Sequence, residues 1–195
     1  MNFKFIYLGM KIFLVFCHPR RDSLTGTVAD AFFKGASEAD HEIDFFDLYR
    51  EKFDPVLREC DEPNDGTLEN YSKEVQESFL RLNKNDAVVM VFPLWWWSMP
   101  AMLKGWIDRV WNYGLTYGPS QHNIKKGAML ILPEHTVAQL NKRNYDVSIK
   151  TSLDVGIFNY NDIHDTDLTI LGGTGLGRGH CSNLIKTAYD KGLKF

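Results

Sequence analysis

Apolar positions along this chain follow two alternating rhythms. Short unbroken runs, "IFLVFC" (12–17), "AVVMVFP" (87–93) and "AMLIL" (128–132), have the character of strands buried on both faces. Between the runs, apolar residues recur every three or four positions, as one face of a helix requires. Leu24, Val28, Ala31 and Phe32 form the first such stripe, and Leu68, Tyr71, Val75, Phe79 and Leu82 the second. Leu103, Trp106, Ile107, Val110 and Trp111 form a third after Pro100, and Tyr145, Ile149 and Leu153 a fourth. "EIDFFDLY" (42–49) is mixed in polarity and predicts a strand near a sheet edge; "DLTILG" (167–172) predicts a fifth strand and residues 181–191 a last helix. Asp22 or Ser23 stands where the first helix needs a cap. Residues 50–66, with Pro55, Pro63 and "NDG", predict irregular chain.

Strand and helix alternate five times, which predicts a three-layer α/β fold around a five-stranded parallel sheet. Right-handed crossovers leave few topologies, and at this length the economical one is the flavodoxin-like strand order 2-1-3-4-5. No linker divides the chain, so residues 1–195 are expected to form one domain. Ligands of such sheets sit at the carboxyl ends of the strands. The loops at 18–25, 93–100 and 133–145 therefore carry the chemistry.

The first residues need separate treatment. "MNFKFIYLGMKIFLVFCHP" is apolar, but Lys4 and Lys11 interrupt it, no small-residue cleavage site follows, and it is too short for a membrane span. Residues 1–10 are expected to be an appendage before the first strand, with Met10 the more natural start.

Composition narrows the classes of function. A chain of 195 residues, 44% hydrophobic and 24% charged, is long enough for one sizeable core. A formal charge of −3 gives no basic footprint, so nucleic acid is not expected as a partner. Cys17, Cys60 and Cys181 are far apart and odd in number, as in a reduced, cytoplasmic protein rather than a disulfide framework. The six histidines (His18, His41, His122, His135, His164, His180) show no ligand spacing, so no metal site is expected. "DIHDTD" (162–167) is expected to be a solvated turn.

The first loop, "HPRRDSLT", opens a helix whose free N–H groups, with Ser23, Thr25 and nearby Arg20 and Arg21, suit an anion. It has neither the lysine of a triphosphate-binding loop nor a G-x-G-x-x-G fingerprint. "GGTGLGRG" (172–179) imitates that fingerprint, but its spacing fails and it follows the last strand, so it is expected to be a flexible connection. The second loop holds Trp95, Trp96 and Trp97 in succession between Pro93 and Pro100. Neighbouring side chains point different ways on any regular backbone, so three adjacent indoles cannot share one core. At least one is expected to pack into the core or an interface. The others suit a flat wall against a planar heteroaromatic ring.

"HPRRDSLT" and "FPLWWWSMPAMLKGWIDRVWNYGLTYG" resemble the flavin-dependent NAD(P)H:quinone oxidoreductase family, which includes the modulator-of-drug-activity type and the ancillary subunits of potassium efflux systems. The resemblance runs from about residue 11 to 172, and the pattern P-L-x-W-x-x-x-P-A-x-L-K-G-W-x-(D/E)-R-V is its most specific part. It implies a flavodoxin-like homodimer that binds FAD, or alternatively FMN, and takes electrons from NAD(P)H. The acceptor it implies is a quinone or similar small molecule, reached in ping-pong fashion. It places His18, Asp22, Ser23, Leu24 and Thr25 on the flavin-phosphate loop, with Thr25 where the family often has Asn. Pro93, Leu94, Trp95, Trp96 and Trp97 fall on the segment along the flavin ring, with Trp95 in place of a common Gln. Pro133, Glu134, His135 and Thr136 stand where members commonly carry "TTGG" against the pyrimidine end of the ring, and Tyr160, Asn161 and Asp162 replace a usual "Y-C-G" turn. His135 and Tyr145 are the candidates for stabilising negative charge on the reduced ring. The potassium-efflux relatives imply a second reading, a regulatory flavoprotein associated with a membrane transporter.

Overall fold

A computed structural model describes residues 9–63, 65–119 and 122–195; the expected appendage lies, apart from Gly9 and Met10, outside the described residues. Five parallel strands, β1 (Lys11–Phe16), β2 (Glu42–Asp47), β3 (Ala87–Pro93), β4 (Lys126–Leu132) and β5 (Asp165–Ile170), form one sheet in the order β2-β1-β3-β4-β5. The expected topology is the observed one, and the polar-tinged β2 and β5 are its edges. Each interior strand is buried almost throughout, because helices cover both faces.

The two layers flanking the sheet are packed differently. On one face, Phe13, Val15, Met90 and Phe92 meet Val75, Phe79, Leu103 and Trp106 of α2 (Lys73–Leu82) and α3 (Ala101–Val110). On the other, Ile12, Leu14, Phe16, Val89 and Leu130 meet Val28 and Phe32 of α1 (Leu24–Glu38) and the last helix, Arg178–Leu193. Those two helices touch backbone to backbone: a Cβ on Gly35 would sit 2.2 Å from the carbonyl oxygen of Tyr189. Only glycine permits that approach.

Two helical stripes resolve into something less regular. Leu68–Asn70 is an isolated 3₁₀ turn, Tyr71 is extended, and α2 begins only after Ser72. A 3₁₀ turn also sets residues i and i+3 on one side, which is why Leu68 and Tyr71 carried a helical spacing. The fourth stripe begins directly after Asn144 (φ 58°), which separates α4 (Val137–Asn141) from α5 (Tyr145–Ile149). Beyond α5 the helix widens into π turns over Lys150–Phe158, keeping Ile149, Leu153 and Phe158 buried, and α6 is Arg178–Leu193.

The irregular segment 50–66 is held by a buried charge. Arg109 of α3 donates from Nε to Asp61 at 2.7 Å, with both side chains almost wholly buried. Its remaining N–H groups reach Glu74, the carbonyl of Asp54 and Ser72. Two helices and the long loop thus share one guanidinium.

Candidate functional site

β3 runs past the end of β1, whose last residue, Phe16, pairs with Val91. The extra residues Phe92 and Pro93 pair with Ile131 and Leu132 of β4, and the chain turns immediately afterwards. Trp95 and Ser98 exchange both backbone hydrogen bonds, at 3.0 and 3.1 Å, across a two-residue turn made of Trp96 and Trp97. Both turn residues lie in the left-handed region, with φ of 50° and 62°. Such turns favour Asn-Gly, because a bulky side chain there costs about 1–2 kcal/mol per residue. None of the three indoles enters the core: Trp95 is 42% exposed, Trp96 94% and Trp97 37%. Of the two expected destinations, core or interface, the core is not taken by any of them. The turn projects all three from the sheet edge, and Trp106 and Trp111 fill the core instead.

Two cavities meet beside this hairpin. One, of about 360 Å³, is lined by Leu94, Trp95, Trp96, Trp97, Pro133, Glu134 and His135, joining the second loop to the third. The other, of about 330 Å³, brings His18, Arg20, Ser23, Leu24 and Thr25 of the first loop against Pro93 and Leu132 at the ends of β3 and β4. Leu94, Trp95 and Glu134 belong to both. The result is a single elongated trough with an aromatic end and a polar end, at the carboxyl edge of the sheet.

The polar end is built on the start of α1. Ser23 caps the helix, its Oγ accepting from the N–H of Gly26 at 3.1 Å, and Thr25 is buried in the first turn. Nδ1 of His18 lies 3.0 Å from both the backbone N–H and the carbonyl of Arg20; burial draws its pKa below the usual imidazole value, against the raising effect of that carbonyl. Arg20 lines the trough, whereas Arg21 is bound to Asp30 and packs its guanidinium over Phe16 and Phe45. Asp22 is exposed and lines neither cavity, so the first loop contributes His18, Arg20, Ser23, Leu24 and Thr25 to the trough's lining.

The third loop departs further from expectation. Thr136 is the cap of α4: its Oγ1 accepts from Gln139 N–H at 3.2 Å, and its own N–H donates to Gln139 Oε1 at 2.8 Å. It lines neither cavity. Since Pro133 has no N–H, this loop can offer a ring the backbone donors of Glu134 and His135 only. His135 lies 5.2 Å from the Trp97 ring, and Tyr145 stacks on the other flank of the hairpin, its ring 4.0 Å from Trp97. Tyr145 therefore reaches the aromatic end through Trp97 and not directly.

The glycine-rich segment after β5 does more than connect. Gly173 N–H donates to the His135 carbonyl at 2.9 Å, Thr174 N–H to that of Pro133 at 3.3 Å, and His180 Nε2 lies 2.8 Å from the Gly172 carbonyl. Thr174 itself lines the polar end of the trough. No sequence signal marks it: it stands alone among glycines, and only the fold brings the segment after β5 to the trough. Among the described residues no three His, Cys, Asp or Glu side chains cluster as metal ligands.

Comparison with known proteins agrees with this architecture. A family model described as "Flavodoxin-like fold" matches residues 10–188. The uncharacterized NAD(P)H oxidoreductase YcaK of Escherichia coli (strain K12) is 39% identical over 170 residues, 84% of this chain and 84% of that protein. Human ribosyldihydronicotinamide dehydrogenase [quinone] is 29% identical over 127 residues, 56% of this chain and 54% of that one. Among solved structures, the NAD(P)H:quinone oxidoreductase from Methanothermobacter marburgensis superposes with a TM-score of 0.89 at 30% identity, over 95% of this chain and 96% of that one.

Proposed function

Since this chain belongs to the flavodoxin-like NAD(P)H:quinone oxidoreductase family, we propose that it passes two electrons from NAD(P)H, through a flavin held in the trough, to a quinone or similar acceptor. The observation that carries this reading is the trough itself: a flat aromatic end continuous, across Leu94 and Trp95, with a hydroxyl-lined end at a helix start. That sequence of environments suits a planar heteroaromatic ring joined to a phosphate. A bound flavin supplies the two-electron chemistry, and the protein supplies position, exclusion of water and electrostatics.

Each end has a task for this chain's residues. The first-turn N–H groups of α1, with the Thr25 hydroxyl and the Arg20 guanidinium, would hold the phosphate, and the Ser23 cap fixes that turn. Leu94, Trp95, Trp96, Trp97 and Pro133 would wall the ring. His135 would donate a hydrogen bond where negative charge gathers on reduction, while Glu134, beside both cavities, opposes that charge. Tyr145 would act on whatever lies over Trp97, from the side. Donor and acceptor using one aromatic pocket in turn would give ping-pong kinetics.

The cofactor is proposed to be FAD, with FMN as the alternative, and the protein to be a homodimer whose partner covers the exposed Trp96. Cys17, Cys60 and Cys181 are free, which supports a cytoplasmic location. Among the described residues no helix is long and apolar enough to cross a membrane.

The deciding experiment is the visible spectrum of purified protein, followed by anaerobic NADPH titration with and without a quinone. A yellow protein bleached by NADPH and recoloured by quinone is the expected result. A protein that neither retains nor takes up FAD or FMN would overturn the reading, and a yellow one that no reduced nicotinamide bleaches would instead favour the transporter-associated role. Chromatography of heat-released cofactor separates FAD from FMN, and light scattering gives the oligomeric state.

A further inference from the structure

A third cavity, of about 280 Å³, opens on the far side of Trp97 and His135. It is lined by those two residues with Gln139, Lys142, Arg143 and Tyr145. Trp97 and His135 also line the aromatic end of the trough, so the two spaces share a wall. One surface of the side cavity is the stacked Trp97–Tyr145 pair. Its cations come from the tight turn between α4 and α5, which is fixed by Arg143 N–H to the Leu140 carbonyl and Asn144 N–H to that of Asn141, both at 3.1 Å.

Two cations border this cavity, and neither is neutralised by another described residue. Arg21, Arg50, Arg58, Arg81 and Arg109 each have a carboxylate partner. Among the described residues, Arg20, Arg143 and Arg178 have none, and Lys142 is one of several lysines without one; of these, Lys142 and Arg143 alone line the side cavity. A lysine and an arginine on successive residues repel each other. With Gln139 and His135 beside them and aromatic rings behind, they present donors and no compensating carboxylate to the space they border.

We propose that the side cavity is an oxyanion subsite: Lys142 and Arg143 hold a phosphoryl, carboxylate or sulfonate group of the molecule whose planar part enters the aromatic end of the trough. The guanidinium is suited to bidentate binding of such groups, and the ammonium adds a point charge. Two sources supply this chemistry, the phosphates of a dinucleotide donor or an acid group on the acceptor. The assignment of the planar part rests on the proposed function; the recognition of an oxyanion does not.

The test is the double variant Lys142→Ala/Arg143→Ala, prepared with cofactor and checked for an unchanged melting temperature, since both side chains are on an exposed turn. NADH, NADPH and the phosphate-free dihydronicotinamide riboside are compared as donors with a neutral quinone. Neutral and sulfonated naphthoquinones are then compared as acceptors. The expected result is a rise in KM of about tenfold for the anion-bearing molecules with kcat retained, as loss of uniform binding requires, and no change for their neutral counterparts. A rise for NADH and NADPH but not for the riboside assigns the subsite to the donor; a rise for the sulfonated quinone alone assigns it to the acceptor. Equal KM values for variant and parent, on every molecule, would overturn the proposal.

Binding is read independently of turnover, by calorimetry with adenosine 2′,5′-bisphosphate and with naphthoquinone sulfonate. Binding of either to the parent and about tenfold weaker binding to the variant supports the subsite, even if the protein oxidises no reduced nicotinamide and the redox reading fails. Absence of binding to the parent, or equal affinity in both, rejects it even if the redox reading holds.

Discussion

Trp97 lies almost flat on Tyr145, with ring centroids 4.0 Å apart and planes inclined by 20°. The pair joins the tip of the second loop to the first turn of α5, two segments that no sheet hydrogen bond connects. Aromatic pairs of this geometry contribute about 0.5–1.5 kcal/mol beyond the area they bury. A double-mutant cycle of Trp97→Ala and Tyr145→Ala, measured by urea unfolding, is expected to give a coupling energy of about 1 kcal/mol. A coupling indistinguishable from zero would mean that the contact does not persist in solution.

Trp96 is the other half of the turn, and its indole is 94% exposed while its backbone is left-handed. Strain without burial is a feature of binding sites more than of stable folds. Trp96→Asn keeps the turn with a residue that tolerates φ near 50° and is expected to stabilise the monomeric protein by about 1 kcal/mol. For a chain of this size that is a rise of about 2–4 °C in Tm. The same variant is expected to bind flavin or quinone more weakly, because the aromatic wall is lost. A fall in Tm would show that Trp96 is already covered, as by a partner subunit.

The architecture was legible because periodicity reports burial directly. The unbroken run from Ala87 to Pro93 can only be buried on both faces, and the structure gives that strand the predicted bounds. The cap of α1 was legible to within one residue, Asp22 or Ser23, for the same kind of local reason, and Ser23 holds it. The trough was less so. Thr136 and Gln139 form a capping box, a signal present in the sequence but outweighed by a family position that suggested contact with the ring. Arg21 and Asp22 adjoin residues that line the trough, yet only packing decides that Arg21 turns to Asp30 and the aromatic face. Thr174 and Arg143 reach the site from separate elements, and no spacing announces such convergence.

Thiol chemistry should separate the three cysteines. Cys17 is fully buried at the end of β1, and burial pushes its thiol up to about 12, so almost no thiolate exists near neutral pH. Cys60 is exposed. Alkylation of the native protein, followed by peptide mass spectrometry, is expected to modify Cys60 first and leave Cys17 untouched until denaturant is added. Early labelling of Cys17 would mean that the core between β1 and α3 opens readily.

The buried Arg109–Asp61 pair should make the long loop acid-sensitive. Burial alone would raise the Asp61 carboxyl, but its hydrogen bonds from Arg109 and Ser72 outweigh that, and the pKa lies below the usual carboxylate range. A carboxyl with a depressed folded-state pKa contributes stability that is complete above its unfolded value, near 4. That contribution is lost as pH falls through the folded value. Arg109→Met removes the partner and leaves a carboxylate that is otherwise sealed from water, at an expected cost of about 3–5 kcal/mol. In the variant, Asp61 gains more by protonation than by ionisation. Its pKa moves above the unfolded value, so the sign of the dependence reverses and lowering the pH toward 4 should narrow the gap between variant and parent. Urea midpoints measured at neutral pH and near pH 4 test both statements: a gap independent of pH would show that Glu74, through the Asp54 N–H, or Asn112, through the Asp61 carbonyl, holds the loop without the guanidinium.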